Sequence, residues 1–180
     1  MKKALSVGVL SLLLVTSAFS QKILIKEGDQ YAGLKLALGA VGGASIGYVG
    51  SYERGLQDNI GIGVTLAYSG YTESYGGFYG GEWTYSNIFI LANGNYHIDL
   101  LKDEKLDTWG ALSVGYNVAS VKFKWNTTVP AGTFEPSASA GGFVIGLSAN
   151  ARYFLTEKLA VAASVGFGLG ILNIGLDYKL

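Results

Sequence analysis

The sequence contains no cysteine, two prolines and one histidine in its 180 residues. The absence of cysteine excludes a disulfide, a thiolate metal site and a lipid-modified export signal. Charged residues make up 14 % of the chain, whereas a typical soluble domain has about 25 %. The formal net charge is zero, which does not favour a nucleic-acid-binding protein, since such a protein needs a basic stripe.

Long apolar runs are also missing beyond residue 20. No segment there stays apolar for the roughly 18 residues that identify a membrane-spanning helix, which excludes a helical membrane protein. Hydrophobic residues nevertheless account for 49 % of the chain. A sequence that is poor in charge and rich in apolar residues must therefore place its apolar side chains in another kind of element.

The first 20 residues have the pattern of a secretory signal peptide. Lys2 and Lys3 precede an apolar run over 4–15, and a small-x-small cleavage site follows. This run is shorter than the ~20 residues that a spanning helix needs, so cleavage is favoured over a membrane anchor. We expect a cleaved signal peptide at 1–20 and one domain at 21–180. Cleavage lowers the basic count from 13 to 11 against 13 acidic residues, a net charge of −2.

Apolar residues alternate with small or polar residues in eight segments of the mature chain. In the last segment, Leu176 and Tyr178 fall on one face, and Gly175 and Asp177 fall on the other. A period of two is typical of a β-strand, and each segment reaches the ~9–11 residues that a tilted transmembrane strand requires. The segments are 30–40, 44–54, 60–71, 83–98, 108–124, 142–154, 159–168 and 172–180.

The two faces of these segments differ in a way that indicates which solvent each one meets. The apolar face is nearly free of charge, as contact with lipid demands. The other face is built from Gly, Ala, Ser and Asn, which suit the crowded interior of a narrow barrel. Closure would leave no unpaired sheet edge in hydrocarbon. The sequence therefore predicts an all-β fold, an eight-stranded antiparallel up-and-down transmembrane β-barrel.

The connections between segments alternate in length. Those at 55–59, 99–107 and 156–158 are short or charged, and those at 72–82 and 125–141 are longer. Short turns at one end and long loops at the other are typical of the periplasmic and extracellular ends of a barrel. Aromatic side chains in and beside the first long loop are candidate contact residues, with an aromatic girdle at the membrane interface as the alternative. They are Tyr71, Tyr75, Phe78, Tyr79 and Trp83.

The end of the chain resembles the C-terminal assembly signal of bacterial outer-membrane barrels, with leucine in place of the usual terminal phenylalanine. The matching residues are Asn173, Gly175, Tyr178 and Leu180. Together with the signal peptide and the eight segments, this order resembles the small outer-membrane β-barrel family that includes OmpX-like, OmpW-like and OmpA-barrel proteins. The segment 153–159 also resembles that family's tight turn between the sixth and seventh strands. The resemblance implies a place in the bacterial outer membrane, contact with its lipid and lipopolysaccharide, and passage through the barrel-assembly machinery.

Charged and titratable side chains lie on the inward face of the predicted barrel. Buried charges persist only when they are paired. We expect Glu53 to pair with Arg152. We expect Asp177 to pair with Lys35 or Lys179. A gate in a narrow pore and a structural polar plug are both open, and the plug is favoured because eight-stranded barrels are usually filled. The full set is Lys35, Glu53, His97, Arg152, Asp177 and Lys179.

No catalytic, cofactor or metal site is predicted. His97 is isolated in the sequence, with no serine and acid in the order of a catalytic triad, and one histidine without cysteine does not make a metal site of familiar spacing. The leading hypothesis is a monomeric barrel with a structural or surface-interaction role through its long loops. The alternative is a narrow porin-like channel for ions or small apolar solutes.

Overall fold

The computed structural model describes residues 24–39, 44–76, 80–126 and 133–180. They form eight antiparallel strands, each paired with the next in sequence, and β8 pairs with β1 to close the barrel. The predicted fold class is confirmed. The strands are β1 (Gln30–Leu38), β2 (Ile46–Gln57), β3 (Ile60–Tyr75), β4 (Gly81–His97), β5 (Leu106–Trp125), β6 (Ser137–Phe154), β7 (Leu159–Phe167) and β8 (Leu172–Lys179).

The apolar faces of the strands point outward. Leu34 on β1 is 76 % exposed, and Val64 and Leu66 on β3 are exposed as well. Their neighbours Thr65 and Ala67 are buried in the lumen. An exterior of leucine, valine, isoleucine and tyrosine around a polar interior is the arrangement of a barrel surrounded by lipid. In the described part of the chain, no helix is long and apolar enough to cross a membrane.

Four consecutive strands are much longer than the others. β3, β4, β5 and β6 contain 16, 17, 20 and 18 residues, whereas β1, β2, β7 and β8 contain 9, 12, 9 and 8. The long strands extend beyond the barrel at the end opposite the short turns. We call this extension, formed by residues 70–75, 81–86, 119–125 and 137–142, the projecting sheet.

The prediction of long loops at 72–82 and 125–141 is wrong, because strands occupy part of both ranges. The ladder between β3 and β4 continues to the pair of Tyr75 and Gly81, and β6 begins at Ser137. Glycine, serine and threonine are typical of loops, but cross-strand pairing extends through them here because each strand is supported by its neighbour.

The lumen is filled in layers. An apolar core lies toward the projecting sheet and consists of Ala37, Val49, Ala67, Phe89 and Leu91. Hydroxyl and amide side chains in the middle line a cavity with space for about 100 Å³ of solvent. Charged side chains lie at the end that bears the short turns. The sequence predicts small inward residues, and it therefore omits the two large side chains of the apolar core, Phe89 and Leu91 on β4.

A segment that precedes the barrel also packs at the short-turn end. The Leu24 amide donates to Asn59 Oδ1 (2.8 Å), and the Asn59 amide donates to the Ile25 carbonyl (3.0 Å). Ile25 is fully buried. The Asn59 carbonyl in turn accepts from the His97 amide (2.8 Å), so the segment, the turn between β2 and β3, and the end of β4 are held together.

Candidate functional site

Arg152 on β6 lies at the centre of the charged layer and is 1 % exposed. Its Nη1 lies 3.1 Å from Glu53 Oε2, which is the pair expected from the sequence. Its Nε donates to Asp107 Oδ2 (2.7 Å), and its Nη2 lies 2.6 Å from the same oxygen. The guanidinium therefore joins carboxylates from β2 and β5 across the lumen. A planar fork of donors suits such bridging geometry.

His97 on β4 bridges the same two carboxylates from the other side. Its Nδ1 lies 2.7 Å from Asp107 Oδ1, and its Nε2 lies 2.9 Å from Glu53 Oε1. Both carboxylates also lie in ion pairs with the Arg152 guanidinium. Since an ionised carboxylate only accepts hydrogen bonds, both ring nitrogens must donate. This geometry requires the positively charged imidazolium.

A third carboxylate, Asp177 on β8, extends the cluster. Lys35 Nζ lies 2.8 Å from Asp177 Oδ1, and Arg152 Nη1 lies 3.9 Å from Oδ2. With Glu53 and Asp107 this gives three carboxylates, which face Arg152, Lys35 and the His97 imidazolium. The cluster is balanced in charge, and we call these six residues the lumen ion cluster.

Lys179 is the one predicted inward charge that lies outside the lumen ion cluster. It occupies the end of β8 and pairs with Asp29, with 2.9 Å between Nζ and Oδ1. Its side chain is 36 % exposed, because the last residue of the strand reaches the aqueous rim. Burial acts to raise the pKa of Asp29, but the hydrogen bond from Lys179 and the nearby positive charges outweigh it and lower that pKa.

Sequence reasoning missed three members of this region. Asp107 lies in a predicted turn, and neither Tyr31 nor Trp109 is among the predicted site residues. The Arg152 guanidinium lies 3.5 Å from the centre of the Tyr31 ring and 4.9 Å from that of Trp109, and His97 stacks on Trp109. The alternation along each strand places all three side chains inward: Asp107 and Trp109 continue the inward-facing set of β5, and Tyr31 continues that of β1.

The chemistry open to the lumen ion cluster is limited by its pairing. Each carboxylate lies in an ion pair, and both nitrogens of His97 are occupied. A general base needs a free lone pair and an accessible substrate, and the cluster supplies neither. Among the residues that the structure describes, no three His, Asp or Glu side chains are placed to hold a metal ion. The arrangement is suited to holding strands together.

The projecting sheet has a different chemistry on its inner face, which continues the lumen wall. Tyr71 and Tyr85 are stacked with their ring centres 4.7 Å apart. The ring centres of Trp83 and Phe123 are 4.9 Å apart. Those of Phe123 and Trp125 are 4.8 Å apart, with the rings edge to face. Since Tyr71 pairs with Tyr85 across the strands and Trp83 with Phe123, these rings form a continuous surface. We call it the aromatic face; Tyr75, 55 % exposed, lies at its tip.

The outer face of the projecting sheet is polar. The hydroxyl oxygens of Thr72 and Thr84 are 3.5 Å apart, and those of Ser86 and Ser120 are 2.8 Å apart. Ser74, Glu82, Lys122 and Lys124 belong to the same face. Within the barrel the exterior is apolar and the interior polar, so the polarity inverts where the projecting sheet begins. An exterior without apolar residues is not suited to hydrocarbon, and this inversion marks the end of the lipid-facing belt.

The candidate contact residues are therefore placed on strands as far as they are described. Tyr71 lies on β3 and Trp83 on β4, within the strands predicted there. Tyr75 also belongs to β3, which corrects its assignment to a loop. Phe78 and Tyr79 lie outside the described residues. Tyr85, Phe123 and Trp125 were missed because β4 and β5 were not expected to form a sheet beyond the membrane.

The terminal residues are placed according to the predicted alternation. Asn173 and Gly175 face the lumen, and Tyr178 and Leu180 are exposed on the outside. A Cβ added at Gly175 would overlap the Leu34 carbonyl oxygen across the seam between β8 and β1. The glycine is therefore required by the close approach of two strands, and a role of these residues in assembly stays a prediction.

No protein-family model and no curated protein matches this sequence. The structure is similar to a de novo designed transmembrane β-barrel, with a TM-score of 0.56 and 15 % identity over 86 % of this chain and 98 % of that one. The chain folds as a small eight-stranded transmembrane β-barrel. The attachment invasion locus protein Ail of Yersinia pestis is also similar to this barrel.

Two structures of Ail support the same conclusion about the fold. The complex of Ail with the heparin analogue sucrose octasulfate has a TM-score of 0.50 and 14 % identity, over 85 % of this chain and 96 % of Ail. The backbone structure of Ail in a phospholipid nanodisc has a TM-score of 0.50 and 16 % identity, over 86 % and 100 %. At such identities the likeness establishes the fold of this barrel and leaves its activity to be argued from its own residues.

Proposed function

We propose that this protein is a monomeric bacterial outer-membrane barrel that contacts partners outside the cell through its projecting sheet. The observation that carries the proposal is the aromatic face, a surface of tyrosine, tryptophan and phenylalanine placed beyond the lipid-facing belt. Tyrosine and tryptophan are enriched at binding surfaces because they offer a large contact area at a low cost in conformational entropy. A barrel with a purely structural role has no need of such a surface.

The orientation follows from the lengths of the connections. Outer-membrane barrels have short periplasmic turns and long extracellular segments, so the projecting sheet is assigned to the outside. Lipid and lipopolysaccharide then surround the apolar belt, and Tyr68 and Tyr96 contribute to its interfacial aromatic residues. Export through a cleaved signal peptide and insertion by the barrel-assembly machinery complete this assignment.

Unpaired strand edges add to the binding capacity of the projecting sheet. The ladder between β6 and β7 begins at Leu147, and the ladder between β2 and β3 ends at Ser69. Within the described residues, 137–146 of β6 and 70–75 of β3 are therefore paired on one side alone. Such edges offer backbone donors and acceptors to an extended segment of another chain.

A catalytic role is not part of this proposal. The single histidine, His97, binds Asp107 and Glu53 through its two ring nitrogens. It lies in the lumen ion cluster, at the end of the barrel opposite the aromatic face. Replacement of His97 by alanine is expected to leave the lipid composition of the bacterial membrane unchanged. Mass spectrometry of extracted lipids from cells with either form measures this directly.

A narrow channel is the second candidate, and the solvent cavity of about 100 Å³ in the lumen is the observation that favours it. Two layers argue against conduction. The lumen ion cluster lies between the cavity and the short turns, and the apolar core with Phe89 and Leu91 lies between the cavity and the projecting sheet. An ion would have to break the first and lose its hydration shell at the second, which is costly in an apolar environment.

The decisive experiment shortens the projecting hairpin and measures attachment. In the variant, 71–85 are replaced by Asn-Gly, a pair that favours a tight hairpin turn. The change joins the paired residues Gly70 and Ser86 and removes Tyr71, Tyr75, Trp83 and Tyr85 of the aromatic face. Cells that display the variant should lose attachment to immobilised host extracellular proteins, whereas cells with the unaltered barrel attach. A matched control replaces Tyr96 in the lipid-facing belt by leucine, and it should attach normally.

Surface amounts are compared with an antibody against the barrel, so that lost attachment is not confused with failed assembly. Equal attachment by cells with and without the barrel would contradict the proposed function. Ion conductance by the purified barrel in a planar bilayer would support the channel instead.

A further inference from the structure

The aromatic face carries a single charge. Glu73 lies on the inner side of β3 between Tyr71 and Tyr75, opposite Trp83 on β4. Its carboxylate accepts a hydrogen bond from the Tyr75 hydroxyl (3.2 Å), and no ion pair to Glu73 is formed within the described residues. The face thus combines electron-rich ring surfaces with an exposed carboxylate.

The surrounding chain does not neutralise this negative surface. The connections at this end, 39–45, 76–80, 126–136 and 168–171, contain no lysine or arginine. The two lysines of the projecting sheet, Lys122 and Lys124, are on its polar outer face, where they pair across the strands with Thr84 and Glu82. The backbone of β5 separates both ammonium groups from the rings.

We propose that the aromatic face binds a lysine- or arginine-bearing polypeptide segment of the partner. This inference rests on the proposed function and assigns a chemical class to its partner. A cation placed over an aromatic ring is attracted by the ring quadrupole, most strongly over tryptophan and tyrosine. Glu73 adds a direct opposite charge at the centre of the face.

A polypeptide fits this surface because the edge of β3 is adjacent to it. An extended segment that adds to residues 70–75 would point alternate side chains to opposite faces of the sheet. Its cationic residues would then reach Tyr71, Glu73 and Trp83, and the residues between them would lie at the polar outer face. A sequence with Lys or Arg at every second position is the expected ligand.

The intrinsic fluorescence of the protein provides the measurement. Two of its three tryptophans, Trp83 and Trp125, belong to the aromatic face, and Trp109 is buried beside the lumen ion cluster. The full barrel in phospholipid nanodiscs is titrated with a ten-residue peptide that has arginine at alternate positions and threonine between. Saturable quenching is expected, and it should weaken as salt concentration rises because the attraction is between exposed charges.

Matched variants separate the charge from the rings. Glu73→Gln should weaken binding about fivefold or more, and Trp83→Leu by a similar factor, from the usual strength of such contacts. Glu82→Gln removes the same charge from the neighbouring strand on the outer face and should bind like the unaltered barrel. Heat-dependent gel mobility verifies that each variant is folded.

Several outcomes would overturn the inference. One is equal binding of a control peptide with glutamine or glutamate in place of arginine, and another is no binding of any peptide. A third is saturation of the site by phosphocholine together with failure of the peptides, which would assign the face to a lipid headgroup. If cells attach through the hairpin while the arginine peptide does not bind, the proposed function stands and this inference fails.

Discussion

Arg152 is the residue toward which three carboxylates converge, and it shows how single side chains determine the interior of this barrel. Glu53, Asp107 and Asp177 come from three strands that are distant in sequence, and the guanidinium lies within 4 Å of each. The inward register and the Glu53 partner could be predicted from alternation and charge. Asp107 could not be chosen with the same ease, because it lies in a run of charges that resembles a turn.

The first prediction concerns the removal of this cation. Arg152→Ala should lower the free energy of unfolding by about 3–5 kcal/mol, since it leaves buried carboxylates without a partner. Lys122→Ala and Lys124→Ala should have much smaller effects because both side chains are exposed to water. Urea titration of the barrels in lipid vesicles measures all three, and equal stabilities would show that Arg152 is not in the lumen.

A second prediction concerns the rim pair of Asp29 and Lys179. The pKa of Asp29 is lowered in the folded barrel, so its stabilising contribution is present above the ordinary aspartate value of ~3.9 and is lost as pH falls through the folded value. The contribution is small, below about 1 kcal/mol, because the pair lies at the aqueous rim and is partly exposed. Asp29→Asn should therefore reduce stability slightly at pH 7 and not at strongly acidic pH. Urea midpoints of the unaltered barrel and the variant at the two pH values test this. If the two midpoints differ by the same amount at both pH values, the ion pair does not contribute to stability.

At the scale of strands, the faces could be predicted and some of the ends could not. Alternation is a local property, so the sequence of β8 alone indicates that Leu176 faces outward and Asp177 inward. The end of a strand depends on whether its neighbour continues. β3 and β4 support each other as far as Tyr75 and Gly81, through residues whose own preferences are those of loops.

The third prediction concerns the seam that closes the sheet. Gly175→Ala should destabilise the barrel, because its Cβ would overlap the backbone of β1 at Leu34 and Lys35. Gly110→Ala is the matched control, since a Cβ at that exposed strand position meets no atom within 4 Å. Cold and heated gel mobilities report the folded fraction of each. Normal folding of Gly175→Ala would mean that the seam can widen.

At the scale of the whole molecule, closure and filling are separate properties. Closure pairs β8 with β1, so that neither strand leaves an edge unpaired along the apolar belt, where water is absent. Filling is achieved by two layers of unlike chemistry, the lumen ion cluster and the apolar core. Composition indicates an interior crowded with small residues, and it does not predict the large side chains of Phe89 and Leu91 there. Their positions at odd numbers, in register with Asn93 and Asn95, place them in the lumen.

The last prediction follows from this arrangement of two layers in series. The unaltered barrel should give no stable conductance steps in a planar bilayer, since either layer alone blocks an ion. Phe89→Ala should also be silent, because the lumen ion cluster remains, and His97→Ala should be silent because the apolar core remains. The double variant opens both layers and should conduct if it stays folded, which heat-dependent gel mobility verifies. Steps from the unaltered barrel that disappear when Glu53 is replaced by glutamine would instead identify the cluster as the gate of a native channel.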